Sequence, residues 1–173
     1  MLNLKHRAVG LLAVGFFACI LMGMVHSFTS RLLEDLMLLV GADGLIVYFL
    51  EPILSAAVAI LVFVLVMNNF LSKDLSQPSR FKNTFITYFG IWAGLNVISM
   101  LYPLIWEAAI GNRLIDARLE FYQAFDKVHY LVQLIFSAIV WDGKYLFALI
   151  YFLIKMKSFA DSAPNHPPIP QKG

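Results

Sequence analysis

The chain has 173 residues, of which 60% are hydrophobic and 14% are charged, and its formal net charge is +2. Soluble domains carry about 25% charged residues, so this composition excludes an ordinary soluble domain and indicates an integral membrane protein. The small net charge gives no reason to expect a nucleic-acid partner. The single cysteine, Cys19, excludes an intramolecular disulfide, a CxxC redox pair and a cysteine-based zinc site.

Four segments have the length and apolarity to cross a bilayer, which requires about 20 helical residues. In chain order they cover residues 8–28, 45–70, 84–106 and 135–154. The fourth must include "WDGK", because a start after Lys144 leaves too short an apolar run. We therefore predict an all-α membrane protein with four transmembrane helices in a bundle, forming one membrane domain over residues 1–157.

The positive charges predict the orientation of this bundle. One side holds eight lysines and arginines, namely Lys5, Arg7, Lys73, Arg80, Lys82, Lys155, Lys157 and Lys172. The other side holds only four, namely Arg31, Arg113, Arg118 and Lys127. Because cytoplasmic segments are enriched in lysine and arginine, we expect both termini to be cytoplasmic, N-in/C-in. We expect the membrane to be a bacterial inner membrane.

Two external connections are partly apolar at helical spacing. Residues 29–44, "TSRLLEDLMLLVGADG", predict a short helix on the membrane surface that ends at Gly41, with Glu34 and Asp35 away from its apolar face. Residues 111–133 predict an amphipathic helix that runs into the fourth span. The tail, residues 158–173, contains four prolines and is expected to be disordered and cytoplasmic.

A polar cluster is predicted in the outer half of the membrane, formed by Glu51, Asp142, Lys144 and Asn96, because these residues fall at similar depths in their spans. Asp142 and Lys144 are two positions apart and should point in different directions. We expect Lys144 to pair with Glu51. Asp142 would then face an external water pocket or pair with an external arginine or lysine. This cluster could be a functional pocket or could only fix how the helices pack.

Small residues predict where helices approach closely. Gly15, Cys19 and Gly23 form a ridge on the first span, and Gly90 and Gly94 form a GxxxG motif on the third. We expect both to pack inside the monomer rather than at a dimer contact.

No catalytic residue, metal site or cofactor site is predicted. The sequence has no P-loop, GxSxG, HExxH or Gly-rich nucleotide motif. His26 and His129 lack a defensible third ligand, so we expect both to be ordinary residues at the membrane interface.

Three functional hypotheses remain open from the sequence. The first is a non-enzymatic membrane protein that acts through a membrane-protein partner, in an accessory, assembly or immunity-type role. The second is a transporter or proton-coupled subunit that works as a homo-oligomer and uses Glu51, Asp142 and Lys144. The third is an intramembrane enzyme acting on lipid or envelope substrates.

Overall fold

The computed structural model describes the backbone of residues 2–72, 78–110 and 112–161 of the chain. Within these ranges it does not describe the side chains of residues 2–8, 72, 78–81, 107, 109–110, 112–114 and 158–161, so the side-chain contacts below are those of the other residues. Within these ranges all regular structure is helical: α1 (Leu2–Leu39), α2 (Gly44–Ser72), α3 (Pro78–Ile110), α4 (Asn112–Phe125), α5 (Tyr130–Ser137), a π-helical turn (Ala138–Asp142) and α6 (Gly143–Asp161). The segments long and apolar enough to cross a membrane are Val9–Leu39, Gly44–Leu71, Lys82–Trp106 and Tyr130–Lys157. The prediction of an all-α protein with four membrane-spanning helices is therefore confirmed.

A hairpin of α1 and α2 forms the centre of the bundle. At its turn, Gly41 has a positive φ of 78°, and the backbone amides of Gly41 and Ala42 donate to the carbonyls of Leu38 and Met37. This is the Schellman arrangement that ends many helices. The Asp43 carboxylate then accepts hydrogen bonds from the first amides of α2, including Leu45 N at 2.9 Å, and so caps that helix. The end of the bundle at this turn is called the hairpin end below.

The apolar core fills the half of the bundle remote from the hairpin end. Its buried side chains come from α1, α2 and α6 and include Leu21, Met22, Phe63, Met67 and Ala148. Helices α3 and α6 flank the hairpin, and α3 packs mainly against α1 and α4, with Tyr88 also contacting Asn69 and Phe70 of α2. Only 6% of the most apolar stretch of α3 is buried inside the protein, so most of the surface of this helix is left for lipid or for another chain.

Two expectations for the external segments are wrong. The segment from Thr29 does not form a separate surface helix, because α1 continues through it to Leu39. The second amphipathic helix, α4, ends at Phe125 and does not run into the fourth span. The helix ends there, and the Gln133 side-chain amide Nε2 donates to the carbonyls of Phe125 and Val128 in the turn that follows. His129 then caps the next helix, α5.

The fourth span is continuous from α5 through the π-helical turn into α6, with "WDGK" at the junction. A π-helical turn holds one extra residue, so it changes the directions in which the flanking side chains point. Helix α6 extends to Asp161, four residues into the segment expected to be disordered. Residues 162–173, the rest of that tail, lie outside the described residues.

Candidate functional site

A buried ion pair holds α4 onto the bundle at the hairpin end. Asp35 is fully buried, and its Oδ1 accepts hydrogen bonds from Arg118 Nη2 at 2.6 Å and Arg118 Nε at 3.1 Å. Its Oδ2 accepts a hydrogen bond from the Tyr102 hydroxyl at 2.8 Å. Three helices, α1, α3 and α4, therefore meet on one carboxylate. Because a buried charge needs this number of partners, Asp35 is a structural anchor.

The electrostatics of this anchor keep the guanidinium charged. Burial lowers the pKa of Arg118, but the hydrogen bonds and negative charge of Asp35, with the nearby charge of Glu34, outweigh burial and raise the pKa above its ordinary value. Arg118 therefore keeps its positive charge in the contact with Asp35.

A cavity of about 440 Å³ lies beneath α4 at the hairpin end. Its walls come from α1, α2, α4, α5 and the π-helical turn, and half of its lining residues are aromatic. The Tyr48 ring packs against Phe125 and Phe136 at centroid distances of 5.1 and 5.6 Å, which fixes one wall. Trp141 forms part of another wall. The cavity volume falls in the range of small-molecule sites.

Two carboxylates line this aromatic cavity, those of Glu34 and Glu51. Glu51 is 6% exposed, the hydroxyls of Ser30 and Ser55 lie beside it, and its Oε1 is buried without a hydrogen-bond partner. Glu34 is half-buried and interacts electrostatically with Glu51, Asp35 and Arg118. Neither forms an ion pair with another of the described residues, where the only ion pair is that of Asp35 with Arg118.

The predicted Glu51–Lys144 ion pair is wrong. Lys144 is 2% exposed, and its ammonium lies over the rings of Trp141 and Tyr145 at 4.7 and 5.0 Å from their centroids. The Trp141 ring also packs edge-on against His26, with 4.5 Å between ring centroids. Aromatic faces rather than a carboxylate therefore stabilise the lysine, in a cation–π arrangement.

Asp142 is exposed on the surface of the bundle, while Lys144 is buried, so the two do point in different directions. Asp142 does not line the aromatic cavity and forms no ion pair with Arg118 or Lys127. The side chain of Arg113, the third partner considered, lies outside the described part of the structure. The structure thus does not bring the predicted polar cluster together. Its fourth member, Asn96, is half-buried between α3 and α1 and donates to the Met24 sulfur at 3.1 Å.

The small residues have different surroundings. A Cβ atom on Gly15 would lie 2.5 Å from Phe152 Cε2, and one on Gly23 would lie 3.2 Å from the Tyr145 hydroxyl, so this ridge faces α6. Cys19, between them, is half-buried against the apolar core. Gly90 and Gly94 are exposed with nothing within 4 Å of a Cβ, so the expectation that they pack inside the monomer is wrong.

The histidines also differ from the expectation. His26 is 1% exposed inside the bundle rather than at the membrane interface, whereas His129 is exposed and caps α5 through its side chain. Across the described ranges, no three histidine, cysteine or acidic side chains come together in a way that could hold a metal ion.

Sequence reasoning missed the anchor formed by Asp35, Arg118 and Tyr102. A signal was present, since Asp35 interrupts a helical run of leucines, and an acid in such a run is either on the polar face or in need of a buried partner. The partner Arg118 is 83 residues away along the chain, in a segment whose position could not be known in advance.

Comparisons of the chain with protein-family models, with curated proteins and with solved structures found no match.

Proposed function

We propose that this chain is a non-catalytic subunit of a bacterial inner-membrane complex, with both termini in the cytoplasm, that binds a partner helix through the face of the fourth span at Asp142. The observation that carries the proposal is the exposed carboxylate of Asp142 within a membrane-spanning helix. At ~1.5 Å per residue, Asp142 lies about 18 Å from Tyr130 and about 22 Å from Lys157, near the middle of that span.

A carboxylate facing lipid at this depth is costly. Insertion scales give about 2.5–3.5 kcal/mol for an aspartate at the centre of a membrane helix. Residues that carry this cost usually face another helix or a water-filled space. Asp142 lies outside the aromatic cavity and has no ion-pair partner among the described side chains. The charge of Lys144 acts on it only from beyond ion-pair distance, so another chain is the simplest source of a direct partner.

The chemistry of the partner follows from the charge. A lysine or arginine side chain on a neighbouring transmembrane helix would neutralise Asp142. A second copy of this chain would bring a like charge, since the cation nearest in sequence, Lys144, is buried against aromatic rings. We therefore propose a different membrane protein as the partner.

The packing supports binding rather than transport by a monomer. The side chains of the apolar core, including Leu21, Phe63 and Met67, close the half of the bundle remote from the hairpin end. An ion or polar solute would have no path through this half without a large rearrangement.

The test uses a photo-crosslinking amino acid at Leu146, which is one turn beyond Asp142 and 59% exposed. The matched control carries the same amino acid at Ile98, which is 49% exposed on α3. We expect a discrete crosslinked product from position 146 in native membranes and none from position 98. Asp142→Leu should abolish the product and should raise the melting temperature of the isolated protein, because an unpaired charge is removed.

Two results would contradict this function. One is migration of the chain as a monomer in gently solubilised native membranes. The other is a crosslinked product at Leu146 that persists unchanged in both Asp142→Leu and Asp142→Asn. Either result would leave Asp142 without a partner and would require another explanation for its exposure.

A further inference from the structure

The aromatic cavity beneath α4 has features that neither the partner contact nor the anchor uses. It is lined by Glu34 and Glu51, whereas Asp142 lies outside it. It is also separate from the Asp35 carboxylate, whose two oxygens are already bonded to Arg118 and Tyr102. A ligand in the cavity would therefore meet two carboxylates that no arginine or lysine neutralises through an ion pair in the described structure.

Glu51 is the residue that points most directly to a ligand. It is more than nine-tenths buried, it lines the cavity, and its Oε1 has no hydrogen-bond partner. A buried acceptor without a partner costs free energy, and an ionised one costs more. The nearby Lys144 does not supply the missing charge, because its ammonium rests on Trp141 and Tyr145.

The rest of the lining specifies the kind of cation. Aromatic faces attract cations through their quadrupoles, most strongly when water is excluded, and they also pack against apolar substituents. Trp141 already binds one ammonium in this way, that of Lys144. Aromatic rings together with carboxylates favour an ammonium ion carrying apolar groups over a hydrated metal ion, which needs several oxygen ligands.

We propose that this cavity is a binding site for an organic ammonium ion, with Glu51 and Glu34 as its counter-ions and with Tyr48 and Trp141 packing against its substituents. The cavity is bordered by exposed side chains of α4 and α5, among them Tyr122, Tyr130 and Leu134, which give it an amphipathic mouth. Such a mouth is accessible both to a soluble organic cation and to the ammonium headgroup of a lipid.

The experiment measures binding of benzyltrimethylammonium to the full chain in phosphatidylglycerol nanodiscs by isothermal titration calorimetry. The neutral isostere neopentylbenzene, in which carbon replaces the charged nitrogen, isolates the contribution of charge. We expect the cation to bind at least tenfold more tightly than the isostere. Glu51→Gln, which keeps the size of the side chain, should weaken cation binding at least tenfold.

Two controls separate the site from general effects of charge. Glu120→Gln removes an exposed acid of α4 outside the cavity, and Asp142→Asn removes the acid of the partner contact. Both should leave the Kd for benzyltrimethylammonium unchanged within twofold. If Glu51→Gln fails to fold, Glu34→Gln is the second variant, since Glu34 is only half-buried, and it should weaken binding at least threefold.

Nanodiscs that also contain phosphatidylethanolamine distinguish the two sources of the ammonium group. A higher apparent Kd in these nanodiscs would assign the site to a lipid headgroup, and an unchanged Kd would assign it to a soluble organic cation. Equal affinity for the cation and its isostere would overturn the proposal. So would full retention of binding in whichever of Glu51→Gln and Glu34→Gln folds. None of these outcomes depends on whether Asp142 binds a partner.

Discussion

Asp35 is a carboxylate with no exposed surface, yet it lies in a chain that buries few charges. Its stability depends on Arg118, which bonds it through two nitrogens, and on the Tyr102 hydroxyl. Removing the guanidinium leaves the acid buried with one neutral donor. The contribution of Arg118 to stability is therefore the cost of leaving the Asp35 charge buried without an ion-pair partner, which is larger than the strength of a surface salt bridge.

We expect Arg118→Met to lower the free energy of unfolding by about 3 kcal/mol, the lower end for breaking a buried pair, because Arg118 itself is 42% exposed. The measurement is the melting temperature of the full chain in nanodiscs. The control is Arg31→Met, which removes an exposed arginine of α1 outside any ion pair in the described structure and should change stability by less than about 1 kcal/mol. Equal effects of the two substitutions would mean that the Asp35 anchor is not formed.

Glu51 and Lys144 are both buried but have different neighbours. Glu51 lines the aromatic cavity beside Ser30 and Ser55, whereas Lys144 contacts the faces of Trp141 and Tyr145. In a double-mutant cycle of Glu51→Gln and Lys144→Met, the losses in stability should therefore add to within about 0.5 kcal/mol. A coupling well above that value, measured from unfolding in nanodiscs, would show that the two charges do pair in the membrane.

At the scale of elements, the surroundings of the glycines show which helix faces pack against another helix and which do not. Gly15 faces Phe152 of α6, and Gly44 at the start of α2 faces Ala124 and the backbone of α4 at Phe121. A Cβ on Gly44 would lie 2.8 Å from the Ala124 Cβ, so α2 and α4 approach each other here as closely as a glycine allows. Gly90 and Gly94 of α3 have no such neighbours.

We therefore expect Gly15→Ala and Gly44→Ala each to destabilise the fold by about 1–3 kcal/mol, as overpacking does. Gly90→Ala and Gly94→Ala are the matched controls. They should be neutral or stabilising by up to about 1 kcal/mol, because alanine favours a helix more than glycine does. Melting temperatures of the monomer in detergent compare the four variants. Destabilisation by the α3 substitutions would mean that α3 packs against the bundle more closely than this structure has it.

The π-helical turn at Ala138–Asp142 is the element that gives "WDGK" its environment. At this turn Trp141 lines the cavity, whereas Asp142 is exposed on the lateral surface of the bundle. The ammonium of Lys144 lies over the Trp141 ring. A glycine follows at the start of α6, but its backbone is right-handed helical, with φ of −56°. The interruption is therefore a change of helical register and not a break of the span.

For the molecule as a whole, the proposed orientation can be checked with reporter fusions. Fusions after Lys82 and Gly173 should report the cytoplasm, and fusions after Gly41 and Asn112 should report the exterior, because lysine and arginine are enriched on the first side. An external signal from the fusion after Gly173 would contradict both termini being cytoplasmic. It would also move the cavity to a different face of the membrane.

The sequence by itself determined the class of the protein, the number of spans and the helix stop at Gly41, although it assigned that stop to a separate surface helix rather than to α1. These properties depend on local features, since apolar length selects a membrane helix and a glycine accepts the positive φ of 78° that ends one. Depth could likewise be counted along each helix, which is why Glu51 and Lys144 were both expected to be buried.

Only the tertiary structure decided which of those charges meet. The direction of a side chain depends on the rotation of its helix, and one extra residue in a π-helical turn changes that direction for all that follows. Rotation placed Lys144 on aromatic rings and left Glu51 with an unbonded oxygen in the cavity. The Asp35–Arg118 pair joins residues 83 positions apart, and only the packing of α4 over the hairpin end could bring them together.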